Sequence, residues 1–387
     1  LMFDFQIQNT SSNSSARAGV LSLPHGKVKT PVFMPCGTKA SVKGLNSIEL
    51  ETLGCQILLG NTYHLHLRPS SELIANHGGL HNFMQWSKPI LTDSGGYQAF
   101  SLKNMSFGNN KSNTLKIKDS GIEFRSYLDG SRHFFSPAEV VRIQKNLGSD
   151  IMMAIDVCAP SDSDIFAASK AMKLTHNWAY ECMREHQKQC DPTKQTLFPI
   201  IQGVVYPKLR KQSAAFINSL DSFGVAIGGL SVGEDKSVMY EMVEHVMTEI
   251  DDKKPRYLMG VGTPEDFIEN VYRGVDMFDC VLPTRLARHG CFYDATGRKN
   301  LMNKKYANDP SPISNCPHFR LNQYSKAYVR HLIKEKEVLG MRILSMHNLW
   351  FLFDFMSQIR ASILENTFVE FRKEFYNRWV DYKPSDL

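Results

Sequence analysis

The chain has no apolar run approaching the roughly 18 residues that a transmembrane helix needs, so the sequence excludes such a segment. Its first residues also lack the basic segment and long apolar stretch of a secretory signal peptide. Cysteine is sparse, with 8 scattered among 387 residues, which favours reduced thiols in a cytoplasmic protein over a disulfide framework. Charge is nearly balanced, and the net value of +6 permits a polyanionic partner without requiring one.

The sequence does contain a series of short apolar runs, each of which ends in glycine or a polar residue. Apolar residues make up 42% and charged residues 22% of the chain, which is ordinary for a globular protein with a full core. Hydrophobicity within the runs is continuous rather than alternating, which is typical of strands buried on both faces. The runs cover 31–34, 57–60, 90–93, 151–156, 197–202, 225–228, 257–260 and 277–281.

Helical segments with clear start and stop signals separate most of these runs. Ser136 before Pro137 predicts a helix start, and Gly148 predicts its end. Thr263 and Gly274 bound a second helix in the same way. Further helices are predicted over 163–190 and 236–250. Buried strands that alternate with helices favour an α/β fold of the (β/α)8 TIM-barrel type. An open doubly wound sheet is the alternative, because periodicity cannot show closure.

The segments outside this repeat predict a division of the chain into three parts. A catalytic barrel is expected over 1–285, with an insertion at about 103–135 that is rich in Lys, Asn, Ser and Gly and lies over the barrel mouth. A subdomain that contains cysteine and histidine is expected over 286–350. A C-terminal helix that packs on the barrel is expected over 351–387.

Polar residues and glycines gather where the predicted strands end. They are Asn61, Asp93, Asp156, Gln202, Gly228, Gly229, Gly260 and Asp279. Because a barrel has its active site at the carboxyl ends of its strands, these residues are expected to converge on one mouth. A carboxylate partly removed from water can act as a nucleophile or a general acid. Any one aspartate could instead cap a helix or order a loop, but three at equivalent strand ends favour a site.

Three loops at the same ends add possible ligand contacts. The loop 93–98 has glycines that let the backbone approach a ligand, and Tyr97 can stack on a planar one. The loop 228–234 offers backbone groups suited to a base edge, or it is a tight turn. Arg285 and Arg288 either clamp phosphates or neutralise carboxylates, and the sequence leaves both interpretations open. Walker and dinucleotide-binding spacings do not occur, so the loop 93–98 is a weak candidate for a phosphate cradle. No organic cofactor is expected.

Taken together, these motifs resemble the tRNA-guanine transglycosylase family, the queuine tRNA-ribosyltransferases, and in particular its bacterial type. The resemblance extends in order from about residue 3 to residue 370. The matching stretches are 60–65, 91–98, 202–203, 226–234, 257–262 and 278–285. The motifs are specific as a set, although single ones among them are not.

The resemblance implies a cytoplasmic, homodimeric pentosyltransferase of queuosine modification. Such an enzyme exchanges guanine at wobble position 34 of GUN-anticodon tRNAs for a free 7-deazaguanine base, either 7-aminomethyl-7-deazaguanine or queuine. It implies Asp279 as nucleophile and Asp93 as general acid/base. The implied base-binding residues are Asp156, Gln202, the Gly229 amide, the Leu230 carbonyl, Tyr97, Met259 and Cys158, and the implied contacts to the tRNA anticodon loop are Arg285 and Arg288.

The family pattern fails at its zinc site, which has three cysteines and a distant histidine. Alignment puts Cys316, His318 and Leu321 at the three cysteine positions, with His347 as the histidine. Leu321 cannot ligate a metal, although water could complete a tetrahedron around the other three residues. The two alternatives are a bound structural zinc and a metal-free subdomain in which packing replaces the ligand. We favour the metal-free subdomain.

Three other functions compete with this interpretation. A non-catalytic tRNA-binding partner subunit of the same family would lack the nucleophile, whereas Asp279 and Asp93 are both present. An archaeal-type enzyme acting in the D-arm would be expected to carry a further C-terminal RNA-binding module. An unrelated barrel glycosidase would share the carboxylates but not the base-reading loop over 228–234. The sequence therefore favours base exchange in the anticodon loop.

Overall fold

The computed structural model describes residues 3–101 and 115–385 of the chain. The chain begins with an antiparallel sheet of three strands, which are β1 (Asp4–Thr10), β2 (Arg17–Leu23) and β3 (Gly26–Thr30). Leu21, Leu23 and Val28 of this sheet join the apolar cluster inside the barrel described next. The backbone N–H of His25, in the β2–β3 turn, donates to Asp150 at 3.0 Å. The sheet therefore covers the amino end of the barrel.

Parallel strands form a closed barrel, as the sequence predicted. In chain order they are β4 (Val32–Gly37), β5 (Leu58–Gly60), β6 (Ile90–Thr92), β10 (Ile151–Met153), β11 (Thr196–Phe198), β12 (Ile200–Ile201), β13 (Val225–Ile227), β14 (Arg256–Leu258) and β15 (Met277–Cys280). Their spatial order is β11-β10-β6-β5-β4-β15-β14-β13-β12. Because β11 and β12 are two halves of one strand interrupted at Pro199, the ring has eight positions, and the open doubly wound alternative is wrong.

The strands are buried on both faces, which explains their continuous apolar runs. Ile151 and Met153 of β10 belong to the cluster inside the barrel. Met152 between them belongs to the cluster that separates the strands from the surrounding helices. Since successive side chains of a strand point to opposite faces, most positions of such a strand are apolar.

Helices follow most of the barrel strands. They are α1 (Ser47–Leu53), α2 (Thr62–Leu67), α3 (Ser71–Asn76), α4 (Gly79–Met84), α5 (Gly96–Ser101), α6 (Pro137–Leu147), α7 (Ile165–Gln189), α8 (Pro207–Ser219), α9 (Lys236–Met247), α10 (Pro264–Tyr272) and α11 (Leu282–Arg288). The predicted capping signals are confirmed: the Ser136 hydroxyl accepts from the Glu139 N–H, and Gly148 ends α6 at φ 73°.

A second antiparallel sheet lies beside the barrel mouth, within the predicted insertion at 103–135. It comprises β7 (Lys116–Lys118), β8 (Gly121–Arg125) and β9 (Arg132–Phe135). Phe124 and Phe135 pack on Tyr63 of α2, with ring centroids 5.1 and 6.4 Å away. Because α2 begins where β5 ends, these contacts place the sheet at the carboxyl side of the barrel. The part of the insertion over 102–114 lies outside the described residues.

The C-terminal part adds a small hairpin and three helices. These are β16 (Cys291–Asp294), β17 (Gly297–Asn300), α12 (Lys326–Lys334), α13 (Val338–Leu364) and α14 (Phe368–Arg378). One continuous helix, α13, runs across the predicted boundary between residues 350 and 351. Its Arg360 donates to the carbonyls of Gly19 and Thr30, so this helix is fastened to the N-terminal sheet. Of the helices formed by residues 3–101 and 115–385, none has the length and apolarity to cross a membrane.

Candidate active site

Asp279 lies on β15 with one carboxylate oxygen held by two donors. The Tyr257 hydroxyl donates to Oδ1 at 2.6 Å, and the Gly260 N–H donates to the same atom at 2.7 Å. The other oxygen, Oδ2, has the Cys36 thiol at 3.7 Å. Burial raises the pKa of Asp279, and the hydrogen bonds from Tyr257, Gly260 and Cys36 oppose that rise. The arrangement leaves Oδ2 the less constrained oxygen.

Asp93 follows β6 at the same barrel mouth and is held by the loop after β5. Its Oδ1 accepts from the Thr62 N–H at 2.9 Å, and its Oδ2 accepts from the Asn61 side-chain amide at 2.7 Å. Burial raises the pKa of Asp93 to about 7, and the negative charge of Asp279 adds to the rise. The two carboxylates therefore differ in their surroundings, because a neighbouring charge adds to the rise of the pKa only for Asp93. Such a difference can divide acid and nucleophile roles.

A second polar cluster lies at the ends of β10, β12 and β13. The Gln202 amide donates to Asp156 Oδ2 at 2.7 Å. Burial raises the pKa of Asp156 to about 6, against the effect of this hydrogen bond. Gly229 has φ 68°, and a Cβ atom there would lie 2.1 Å from Gln202 Oε1, so only glycine lets the backbone approach this amide. Carboxylate, amide and backbone groups together can match the polar edge of a purine.

Arg210 fixes the backbone of this cluster, and the sequence analysis missed it. It is fully buried on α8 and donates to the carbonyls of Gly228 at 2.7 Å and Gly229 at 2.9 Å. A third bond, from its Nε to the Val204 carbonyl, measures 2.7 Å. The sequence could have revealed Arg210 as a charged residue within the apolar stripe of α8, since Leu209 and Ala214 on the same face are also buried.

The remaining predicted base contacts lie around these two clusters. Tyr97, at the start of α5, is 47% exposed, so its ring is available for stacking. Burial raises the pKa of Tyr97 and the nearby Cys158 thiol adds to it, so these two side chains are neighbours. Met259 follows β14 and is half-buried against the barrel interior. The Leu230 side chain is buried, which leaves only its backbone for a ligand.

Arg285 and Arg288 lie on α11, immediately after the strand of Asp279. Arg285 is exposed and Arg288 is half-buried. Burial lowers the pKa of Arg288, and the positive charge of Arg285 lowers it further, so the two guanidinium groups are close together. Among the residues that the structure describes, neither forms a salt bridge with a carboxylate.

The residues at the family's zinc positions do not form a ligand set. Within 3–101 and 115–385, the one group of His, Cys, Asp or Glu with ligand atoms close enough for a metal is elsewhere and excludes Cys316, His318 and His347. Leu321 is fully buried, and His347 Nε2 bonds to the Tyr293 carbonyl at 2.7 Å. His347 Nδ1 lacks a hydrogen-bond partner, but His347 belongs to no group of three ligands among the described residues.

Retaining glycosidases cut the bond at an anomeric carbon with one attacking carboxylate and one that supplies a proton. The mouth of this barrel offers both, next to a cluster that can recognise a purine edge. The molecule therefore falls into the class of barrel enzymes that transfer a glycosyl group.

Comparisons with known proteins define the particular family. A family model described as queuine tRNA-ribosyltransferase matches residues 11–381. A queuine tRNA-ribosyltransferase from Halothermothrix orenii is 48% identical over 382 residues, which cover 98% of this chain and 99% of the relative. Proteins of the same name from Thermoanaerobacter pseudethanolicus and Staphylococcus haemolyticus are 47% and 48% identical, over 97% and 96% of this chain and 97% and 95% of the relatives.

The chain belongs to the queuine tRNA-ribosyltransferase family, and it is a pentosyltransferase. The resemblance drawn from its motifs is thereby confirmed, and the non-catalytic alternative is not favoured.

Proposed function

We propose that this enzyme replaces guanine in the anticodon loop of tRNA by a free 7-deazaguanine through a covalent ribosyl-aspartate. The observation that carries the proposal is the carboxylate pair: within the described part of the chain, Asp279 Oδ2 has only the Cys36 thiol as a partner, and Asp93 has a pKa raised to about 7. Family membership supports the substrate, because the relatives are named as tRNA-ribosyltransferases.

In the first half-reaction, Asp279 Oδ2 attacks the anomeric carbon of the ribose. The bond between that carbon and guanine breaks, and Asp93 gives its proton to the departing base, which is a poor leaving group as an anion. In the second half-reaction, the incoming base loses a proton to Asp93 and attacks the same carbon. The ester to Asp279 then breaks, so the carboxylate and the protonated Asp93 are both restored.

Recognition of the base is assigned to the cluster of Asp156, Gln202 and Gly229. The first two present an acceptor and an amide joined by a 2.7 Å hydrogen bond, and the backbone of the third lies against that amide, so its N–H is assigned to the same edge of the base. The Leu230 carbonyl is assigned to the substituent at position 7, whether the free base is 7-aminomethyl-7-deazaguanine or queuine. Tyr97 and Met259 are assigned to the two faces of the base, where stacking offsets the cost of taking it out of the loop.

Trapping of the covalent intermediate tests this function directly. With guanine-labelled tRNA, Asp279→Asn should lose base exchange and the denaturation-resistant protein–RNA adduct, while tRNA binding stays near wild type. Asp221→Asn, an exposed aspartate before β13 at the other end of the barrel, is the matched control and should behave as wild type. An adduct of wild-type yield from Asp279→Asn would place the nucleophile elsewhere. If the wild-type protein bound tRNA without exchanging its base, the interpretation as a non-catalytic partner subunit would be favoured instead.

A homodimer in the cytoplasm completes the proposal. Helices α1 and α13 contact one another, and each carries an exposed apolar side chain. Ile48 of α1 is 73% exposed and Val338 of α13 is 66% exposed. Such surface favours burial against a second copy. Sedimentation of the wild type and of Ile48→Lys measures this, since the charged variant should shift a dimer toward monomer.

A further inference from the structure

A cluster of two histidines and one aspartate lies at the amino end of the barrel, opposite the active site. His25 lies in the turn between β2 and β3, and His81 lies on α4. Asp150 immediately precedes β10, whereas Asp156 of the base-binding cluster follows that strand. The mechanism proposed above uses none of these three side chains.

The three side chains bring their ligand atoms together. His25 Nδ1 lies 2.9 Å from Asp150 Oδ1, and His81 Nε2 lies 3.2 Å from Asp150 Oδ2. The two imidazole rings stack face to face with centroids 3.4 Å apart and planes 11° apart. All three ligand atoms lie within 4.8 Å of one another. On a tetrahedral zinc ion with bonds near 2.0–2.1 Å, neighbouring ligand atoms are roughly 3.3 Å apart, so the spacing of these atoms suits the ion. Because each imidazole lone pair lies in its ring plane, one of the two stacked rings must tilt away from the other for both nitrogens to face the ion.

One of these three ligand atoms has no hydrogen bond to any residue that the structure describes. It is Nε2 of His81, which is buried on a side chain that is 10% exposed. It faces the fully buried carboxylate of Asp150 but does not bond to it with acceptable geometry. A buried polar nitrogen of this kind costs free energy unless something else occupies its lone pair.

The carboxylate itself is held in place as a metal ligand usually is. Asp150 Oδ2 accepts from the Ile90 N–H at 2.9 Å, and Oδ1 accepts from the His25 N–H at 3.0 Å. Backbone N–H groups thus fix the orientation of the carboxylate. Hydrogen-bond donors orient metal ligands in the same way in known metal sites. The His25 side chain is 39% exposed, which leaves an approach for the ion and for water as a fourth ligand.

We propose that His25, His81 and Asp150 form a transition-metal site, with zinc as its ion. Two imidazole nitrogens and one carboxylate suit zinc and its neighbours, whereas calcium and magnesium take oxygen ligands. On binding, His25 Nδ1 gives up the proton that it shares with Asp150, and this proton passes to Nε2 of the same ring or to water. The ion would fasten the β2–β3 hairpin to the barrel between β6 and β10, and so stabilise the folded state rather than serve the reaction.

Metal titration of the full chain tests the proposal. Protein freed of metal by a chelator is titrated with Co²⁺ and with Zn²⁺, and affinity, absorption spectrum and thermal midpoint are recorded. Wild type should bind one ion per chain with the spectrum of nitrogen and oxygen ligands, and zinc should raise its thermal midpoint. His25→Ala should bind at least tenfold more weakly and lose the thermal shift. The control is His77→Ala, an exposed histidine that ends α3, which should bind as wild type.

The spectrum separates this site from the Cys316 region. Binding there would give a thiolate-to-cobalt charge-transfer band, which the proposed site cannot produce because it has no sulfur. His81→Phe keeps the shape of the buried ring and supplies a second variant in case His25→Ala alters folding. The proposal is overturned if no ion binds, if His25→Ala and His81→Phe bind as wild type, or if the thiolate band accounts for all bound metal.

Discussion

At the scale of single residues, Asp279 and Asp93 are buried to a similar extent, but their neighbours act differently on their pKa values. Asp279 receives two short hydrogen bonds on one oxygen, which stabilise its charge. That charge then helps to raise the pKa of Asp93 to about 7, after burial has raised it first. Asp93 therefore carries its proton below about pH 7, and the first half-reaction needs that proton together with an ionised Asp279.

The pH dependence of adduct formation follows from this pair. The pKa of Asp93 is raised, so Asp93 carries the required proton below about pH 7 and loses it as the pH rises through that value. Single-turnover adduct formation should therefore decline above about pH 7, and it should decline again in acid, where Asp279 becomes protonated. Rates measured across this range check the prediction, and a flat alkaline limb would contradict it.

Tyr257→Phe should shift the acid limb of the same profile. The substitution removes the 2.6 Å hydrogen bond to Asp279 Oδ1, and a bond to a charged group is worth about 1.5–3 kcal/mol. The pKa of Asp279 should then rise further, because this hydrogen bond opposes the effect of burial. The control is Tyr180→Phe, an exposed tyrosine on α7. An acid limb that stays in place would mean that the hydroxyl does not tune the nucleophile.

At the scale of elements, α8 supports the base-binding loop through one side chain. Arg210→Met removes the donors to the carbonyls of Gly228 and Gly229, and each buried carbonyl left unpaired costs about 1–3 kcal/mol. Base exchange should fall about tenfold or more in kcat/KM while the Kd for tRNA changes little. Arg184→Met, which alters an exposed arginine on α7, is the matched control. Equal loss of tRNA binding would indicate general unfolding, which the thermal midpoint would reveal.

Helix α11 is expected to supply the electrostatic part of tRNA binding. Arg285→Ala should weaken binding and reduce the salt slope by about one, since one phosphate contact releases about one counterion. The measurement is the Kd for tRNA at several salt concentrations, with Arg184→Ala as the control because that arginine lies near the far end of α7. An unchanged salt dependence of the Kd would indicate that Arg285 instead balances the charge of the carboxylates in the site.

The elements were largely predictable, whereas the contacts between them were not. The strands and helix caps follow from local signals, such as the apolar run at 151–156 and the cap at Ser136. Asp93 and Asp279 were identified because polar residues at strand ends stand out. Tyr257 gave no such signal, because a tyrosine inside a buried strand is ordinary, and only the pairing of β14 with β15 places it against the nucleophile.

At the scale of the whole molecule, the C-terminal part should hold its shape without metal. Cys316 is fully buried beside Leu321, so Cys316→Ala should cost roughly 1 kcal/mol, as a small core substitution does. A protein that carries His25→Ala should contain negligible zinc by elemental analysis, because the proposed site at His25 is then removed. Its base exchange should survive treatment with a chelator. Loss of one zinc per chain together with a large drop in stability on Cys316→Ala would contradict this expectation.

The closure of the barrel between β4 and β15 has a consequence for how the protein is made. Asp279 pairs with Met34 across this seam, although nearly the whole barrel sequence separates them. A chain emerging from the ribosome therefore carries β4 long before its partner exists, and must keep that strand's edge from joining other chains. Contacts so distant in sequence form slowly. Since the nucleophile lies on the strand that completes the ring, no shorter intermediate on the ribosome can be active.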